Sequence, residues 1–127
     1  MRRIISTDQA PAAIGTYSQA VQAGDTLYIS GQIPLDPATG KLEAGEIEDQ
    51  TRRVIRNLEA VLATADATLA HVVKTTVYLT DLSLFPRVNA VYAEAFGHEP
   101  SPARATVEVS ALPLGADVEI DAIARVA

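Results

Sequence analysis

The 127-residue chain carries 16 Asp and Glu against 10 Lys and Arg, a net charge of −6, and 48% of its residues are apolar. It is long enough for one domain with its own core, expected to span residues 1–127. Its acidic balance, with no basic patch among aromatics, argues against nucleic acid as a partner; the lack of cysteine removes disulfides, thiolate nucleophiles and cysteine metal sites, and fits a reducing compartment such as the cytoplasm.

Met1-Arg2-Arg3 has the charge of a secretory leader, but only Ile4 and Ile5 follow before Ser6, Thr7 and Asp8. Without an apolar stretch the segment reads as the start of a first strand, and no run is long enough to span a membrane. Ala20-Val21-Gln22-Ala23 and Thr26-Leu27-Tyr28-Ile29-Ser30 flank Gly24-Asp25, the pattern of a β-hairpin. Pro34 to Gly45 is rich in turn residues and reads as a loop. From Ile47 the period changes. Ile47, Thr51, Val54, Ile55, Leu58, Val61 and Leu62 fall at three- and four-residue steps, with Glu48, Asp49, Arg52, Arg53, Arg56 and Glu59 opposite. That spacing predicts an amphipathic helix of about four or five turns, its early acids matching the positive N-terminal end. The basic pairs Arg2-Arg3 and Arg52-Arg53 read as solvated surface.

His71 to Thr80 is dense in β-branched residues and too short for a typical helix, so it reads as a strand. Leu84, Phe85, Val88, Val91, Tyr92, Ala95 and Phe96 mark a second helix. Ser83 or Asp81 would cap it, Pro86 suits its first turn, and Gly97 would end it. Ala103 to Ala111 alternates, with Ala105, Val107 and Val109 against Arg104, Thr106, Glu108 and Ser110. In the last strand, Asp117 to Val126, the residues Val118, Ile120, Ala122 and Ala124 share one face, and Glu119 and Asp121 the other.

The order strands, helix, strand, helix, strand, strand predicts an α+β sandwich of two layers, both helices covering one face of a sheet. Val72, Thr76, Tyr78 and Ile123 are expected on the other face, with Arg104 and Glu119. That face is too apolar for water and predicts a partner subunit.

Arg104 follows the stiff segment Pro100-Ser101-Pro102-Ala103. Its guanidinium matches a carboxylate in a two-pronged fashion, and would equally serve as an ion-pair partner for Glu119 or another acid. Glu119 interrupts an apolar strand. There a carboxylate can have a raised pKa and hold or activate a water, or simply be a solvent-facing strand charge. Ser30-Gly31-Gln32 ends a strand, where Gly31 allows close approach of a ligand or forms a bulge. Tyr17 suits a pocket mouth or ordinary packing. His71 and His98 are far apart and outside any metal-binding motif, and read as surface or packing residues. No Gly-x-Ser-x-Gly elbow is present. Neither Ala13-Ile14-Gly15 nor Thr39-Gly40-Lys41 completes a phosphate loop.

Four blocks in order resemble the RidA (YjgF) family over nearly the whole chain. They are residues 10–20 (APAAIGTYSQA), Ser30-Gly31-Gln32-Ile33-Pro34, Lys74 to Leu79 with Asp81-Leu82, and Pro102 to Val107 followed by Leu112 and Val118-Glu119-Ile120. The resemblance implies a chorismate-mutase-like fold with a mixed sheet, whose last strand lies between the strands preceding the two helices. It implies a homotrimer with three clefts at subunit boundaries. In that picture Arg104 pairs with the substrate carboxylate and Glu119 positions or activates the attacking water. Tyr17, Ser30, Gly31, Asn89 and the backbone at Thr106 line the cleft. Two positions depart from the family pattern: Thr106 stands where cysteine is frequent, and Thr16 where proline is common before the tyrosine.

The implied activity is hydrolysis of 2-imino acids, 2-iminopropanoate and 2-iminobutanoate among them, to 2-keto acids and ammonia. It needs no metal or cofactor, and its role would be to clear damaging imines left by pyridoxal-phosphate enzymes. The alternatives are a small-molecule-binding regulatory trimer and an RNA-acting translation inhibitor, an endoribonuclease. The acidic charge disfavours the last.

Overall fold

Alternating apolar residues produce the sheet, and three-and-four spacing produces the helices that cover it. In chain order the strands begin with β1 (Arg2–Ile5), β2 (Ala20–Ala23), β3 (Thr26–Gln32), β4 (Leu35–Asp36) and β5 (Lys41–Leu42). Then come α1 (Ile47–Thr64), β6 (Val72–Leu79), α2 (Phe85–Phe96), β7 (Ala103–Glu108) and β8 (Val118–Arg125). The computed structural model describes residues 2–97 and 99–126, so the readings of Met1 and His98 fall outside it. Six strands form one sheet in the order β1-β2-β3-β8-β6-β7. All neighbours are antiparallel except β6 and β7. A parallel pair needs a crossover, which α2 provides. The last strand lies between β3 and β6, as the resemblance implied.

One face of the sheet is buried under the helices. Leu27 and Ile29 of β3, Thr75, Val77 and Leu79 of β6, and Val118, Ile120, Ala122 and Ala124 of β8 are all buried. Against them pack Val54, Leu58, Val61 and Leu62 of α1, with Val88, Val91, Tyr92 and Phe96 of α2. The spacing of these helical residues is the one read from the sequence. Alternate sheet positions, among them Tyr28, Thr76, Tyr78, Glu119, Asp121 and Ile123, are exposed or half-buried on the open face.

Local chemistry sets the element ends. Gly24 takes the left-handed conformation (φ 62°) in the β2–β3 turn, which glycine adopts without a Cβ penalty. Asp49 Oδ2 accepts the Glu46 N–H at 3.1 Å before α1. Thr51, buried on the helix's apolar side, satisfies its hydroxyl on the Ile47 carbonyl at 2.8 Å.

Several expectations are corrected. Pro34 to Gly45 contains the β4–β5 hairpin, whose two-residue strands are too short to show a period. Asp81 caps a single 3₁₀ turn (Leu82–Leu84) rather than α2 itself, which Leu84 precedes. Gly97 does end α2, as expected, with φ −77°. His71 closes a 3₁₀ turn instead of opening β6. β7 stops at Glu108, short of Ala111. Val72 is buried rather than on the open face. Register shifts between Val72 and Lys74, so Val72 pairs with Ala124 and the alternation restarts one residue later.

Candidate active site

Glu119 sits on β8 at the open face, in register with Tyr78 of β6. Beside it β3 bulges: register with β8 shifts between Ile29 and Gln32, at Ser30-Gly31. The bulge brings the Gly31 backbone against the carboxylate. A Cβ on Gly31 would lie 1.8 Å from Glu119 Oε2, so this approach requires glycine. Tyr17, Ser30, Gly31, Ile33, Pro113 and Glu119 enclose a cleft of about 340 Å³. The Ser30 hydroxyl donates to the Ser18 carbonyl at 2.5 Å, so its proton is engaged within the chain.

Burial first, and the neighbouring Asp121 carboxylate second, hold the Glu119 pKa above its ordinary value. Both effects disfavour the ionised form. Asp121 accepts the Tyr78 hydroxyl at 2.9 Å. Among the described residues no cation forms an ion pair with Glu119.

Two buried amides that the sequence reading passed over hold the walls. Gln19 accepts the Thr7 N–H at 2.6 Å and donates to the Thr7 and Pro11 carbonyls at 2.9 and 2.7 Å. Asn57 of α1 donates to the Ile33 and Leu35 carbonyls at 3.1 and 3.0 Å. The signal for Asn57 was its position: it falls between Val54, Leu58 and Val61 on the apolar stripe, where an unsatisfied amide would be costly.

Arg104 lies in a second place. Parallel pairing sets it opposite Thr75, and Thr106 opposite Val77, so both are on the helix side of β7. This corrects the expectation that Arg104 shares the open face with Glu119. Its Nη1 donates to Asn89 Oδ1 at 2.6 Å. Its guanidinium carbon lies 5.1 Å from the Phe85 ring centroid and 4.8 Å from that of Tyr92, within cation–π range. Tyr92 is anchored by a buried 2.7 Å hydrogen bond with Thr75. The side chain remains exposed beside a depression of about 350 Å³, also lined by Asn89, Ser101 and Pro102. No described carboxylate is ion-paired with it.

The expected site residues thus form two groups. Tyr17, Ser30, Gly31 and Glu119 gather around one cleft; Asn89, Arg104 and Thr106 lie on the helix side at the far edge of the sheet.

Residues 7–126 match the Endoribonuclease L-PSP family. A RutC family protein of Pyrococcus horikoshii is 52% identical over 124 residues, 98% of each chain. The 2-iminobutanoate/2-iminopropanoate deaminase of Mus musculus is 48% identical over 124 residues, covering 98% of this chain and 91% of the relative. The crystal structure of E. coli TdcF with bound serine superposes with a TM-score of 0.90 at 38% identity, covering 97% of this chain and 98% of that one.

The chain belongs to the RidA (YjgF) family.

The two threonines singled out in the sequence fall at different groups. Thr16 is exposed next to Tyr17, and Thr106 is half-buried two residues beyond Arg104. Among the described residues, no three His, Asp or Glu side chains are grouped as a metal site. Among the described residues, no helix is long and apolar enough to cross a membrane.

Proposed function

We propose that this chain is a cytoplasmic homotrimer that hydrolyses 2-imino acids, with 2-iminopropanoate and 2-iminobutanoate as substrates, and that it uses no metal or cofactor. The observation that carries this reading is the division of the site. A carboxylate clamp and a carboxylate of raised pKa lie on opposite faces of one sheet, each beside an open depression. A neighbouring copy against the apolar open face would bring its Arg104 to this chain's Glu119.

The chemistry then follows from the residues. The substrate carboxylate takes the two-pronged guanidinium of Arg104, held in place by Asn89 and the rings of Phe85 and Tyr92. Glu119 orients a water and accepts its proton as the oxygen adds to the imine carbon. The proton passes to nitrogen, the carbinolamine collapses, and ammonia leaves. One imine and one water give one 2-keto acid and one ammonia. The absence of a side chain at Gly31 gives the Glu119 carboxylate its place against the β3 backbone, and Tyr17 shields the mouth. Fixed geometry and pre-placed charge supply the rate.

The test couples an amino-acid oxidase to this protein and follows loss of the imine. Arg104→Lys keeps the charge but not the fork, and should impair turnover; Arg104→Ala should do worse. Glu119→Gln should lose about a hundredfold or more while still assembling and binding pyruvate. A trimeric Glu119→Gln protein working at the parent rate would end the assignment. TdcF with bound serine also favours a second reading, a regulatory trimer that binds small amino or keto acids. That reading predicts pyruvate binding without imine turnover.

A further inference from the structure

Tyr17, Gly31, Ile33 and Pro113 wall two depressions at once. One holds Glu119. The other, about 260 Å³, continues between Pro11, Ala12, Ile14, Leu35 and Leu114. Apart from the hydroxyl tip of Tyr17, its polar side chains are Gln19 and Gln32. The Gln19 amide is bonded to the backbone of residues 7–11, and Gln32 Nε2 donates to the Ser30 carbonyl at 3.1 Å. A lining whose polar groups are largely engaged recognises apolar matter.

The rim adds two observations. Ile14 and Leu114 are 82% and 71% exposed, on separate loops facing one cleft. Leu114 also holds a left-handed backbone, φ 59° and ψ 17°. Leucine adopts that conformation at a cost that asparagine or glycine largely avoids. A strained, exposed apolar residue beside a candidate reaction centre points to a role for its side chain.

We propose that this cleft is the subsite for the substrate's side chain, and that the chain prefers 2-imino acids with branched aliphatic side chains over 2-iminopropanoate. The inference rests on the hydrolase reading above. With the imine carbon at Glu119 and the carboxylate on Arg104, the side chain is the substituent left to place, and the cleft adjoins Glu119 through Tyr17 and Gly31. A methyl group enters it little; the isobutyl group of the leucine-derived imine brings three more carbons, and burying even one of them in an apolar pocket is worth roughly tenfold or more in kcat/KM.

The experiment generates imines from leucine and from alanine with one amino-acid oxidase and compares the enzyme-dependent kcat/KM, with semicarbazide capture as the competing reaction. The parent should favour the leucine-derived imine by about tenfold or more. Leu114→Asn suits the left-handed backbone but removes the apolar wall, and should lower that ratio by about tenfold; Ile14→Ser should act in the same direction. Turnover of both imines without preference, or a ratio unchanged in both variants, overturns the subsite alone. No turnover of either imine sinks the hydrolase reading and the subsite with it. If the cleft is instead covered by a neighbouring copy, both variants will sediment as smaller species and lose activity equally on the two imines, which also overturns the proposal.

Discussion

Glu119 keeps an ionisable group where burial and the adjacent Asp121 both oppose its charge. Its folded pKa is therefore above the unfolded one, and protonation favours the fold. The stability linked to this group is complete below the ordinary carboxylate value and is lost as pH rises through the raised one. Glu119→Gln removes that loss. The glutamine variant should melt above the parent at pH 7, and the gap should close as pH falls below about 4.5. Calorimetry across that range measures it, and equal melting temperatures at pH 7 would mean that the carboxylate is not desolvated. A residue that weakens its own fold at working pH fits a functional role better than a structural one. Arg104 differs: held by Asn89 and two rings but unpaired with any described carboxylate, it can still bind an anion.

At the scale of elements, the cleft walls are loops held by the helix layer. Asn57 is fully buried, and its amide serves the carbonyls of Ile33 and Leu35 while accepting from Arg53 Nη2 at 3.0 Å. Asn57→Ala would remove this donor from both carbonyls, leaving Ile33 only the Leu35 N–H at 2.7 Å. A loss of about 1–3 kcal/mol in denaturant unfolding is expected, together with a raised KM for imines, because Ile33 lines both depressions. A variant with parent stability would show that water replaces the amide. The bulge at Ser30-Gly31 works in a similar way: an interruption in β3 turns a strand end into the floor of a site.

At the scale of the molecule, an apolar row crosses the open face. Ile4, Val21, Tyr28 and Ile123 lie in register across β1, β2, β3 and β8, and Ile4 and Tyr28 are more than half exposed in the single chain. A second copy against this face would remove the row from water and join the two halves of the site. Complementation tests that arrangement. Arg104→Ala and Glu119→Gln chains, unfolded and refolded together, should recover imine hydrolysis that neither has alone, since mixed assemblies of the proposed kind would hold some intact interfaces. No recovery from mixed assemblies confirmed by sedimentation would place each site within one chain.

The sequence by itself determined the layers. Periods of two and of three to four separate β3, β6 and β8 from α1 and α2, because burial on one face selects those spacings. Four ordered motifs determined the family and named the candidate residues. Tertiary structure decided which of those residues meet. Alternation gives the relative sides of Arg104 and Thr106 within β7, but only pairing with β6 places that side under α2. Local period is equally silent on a register shift, so it neither places Val72 nor decides between a bulge and a close ligand approach at Gly31. The roles of Gln19 and Asn57 depend on carbonyls 8 to 24 residues away, a distance over which the chain reveals its contacts only once folded.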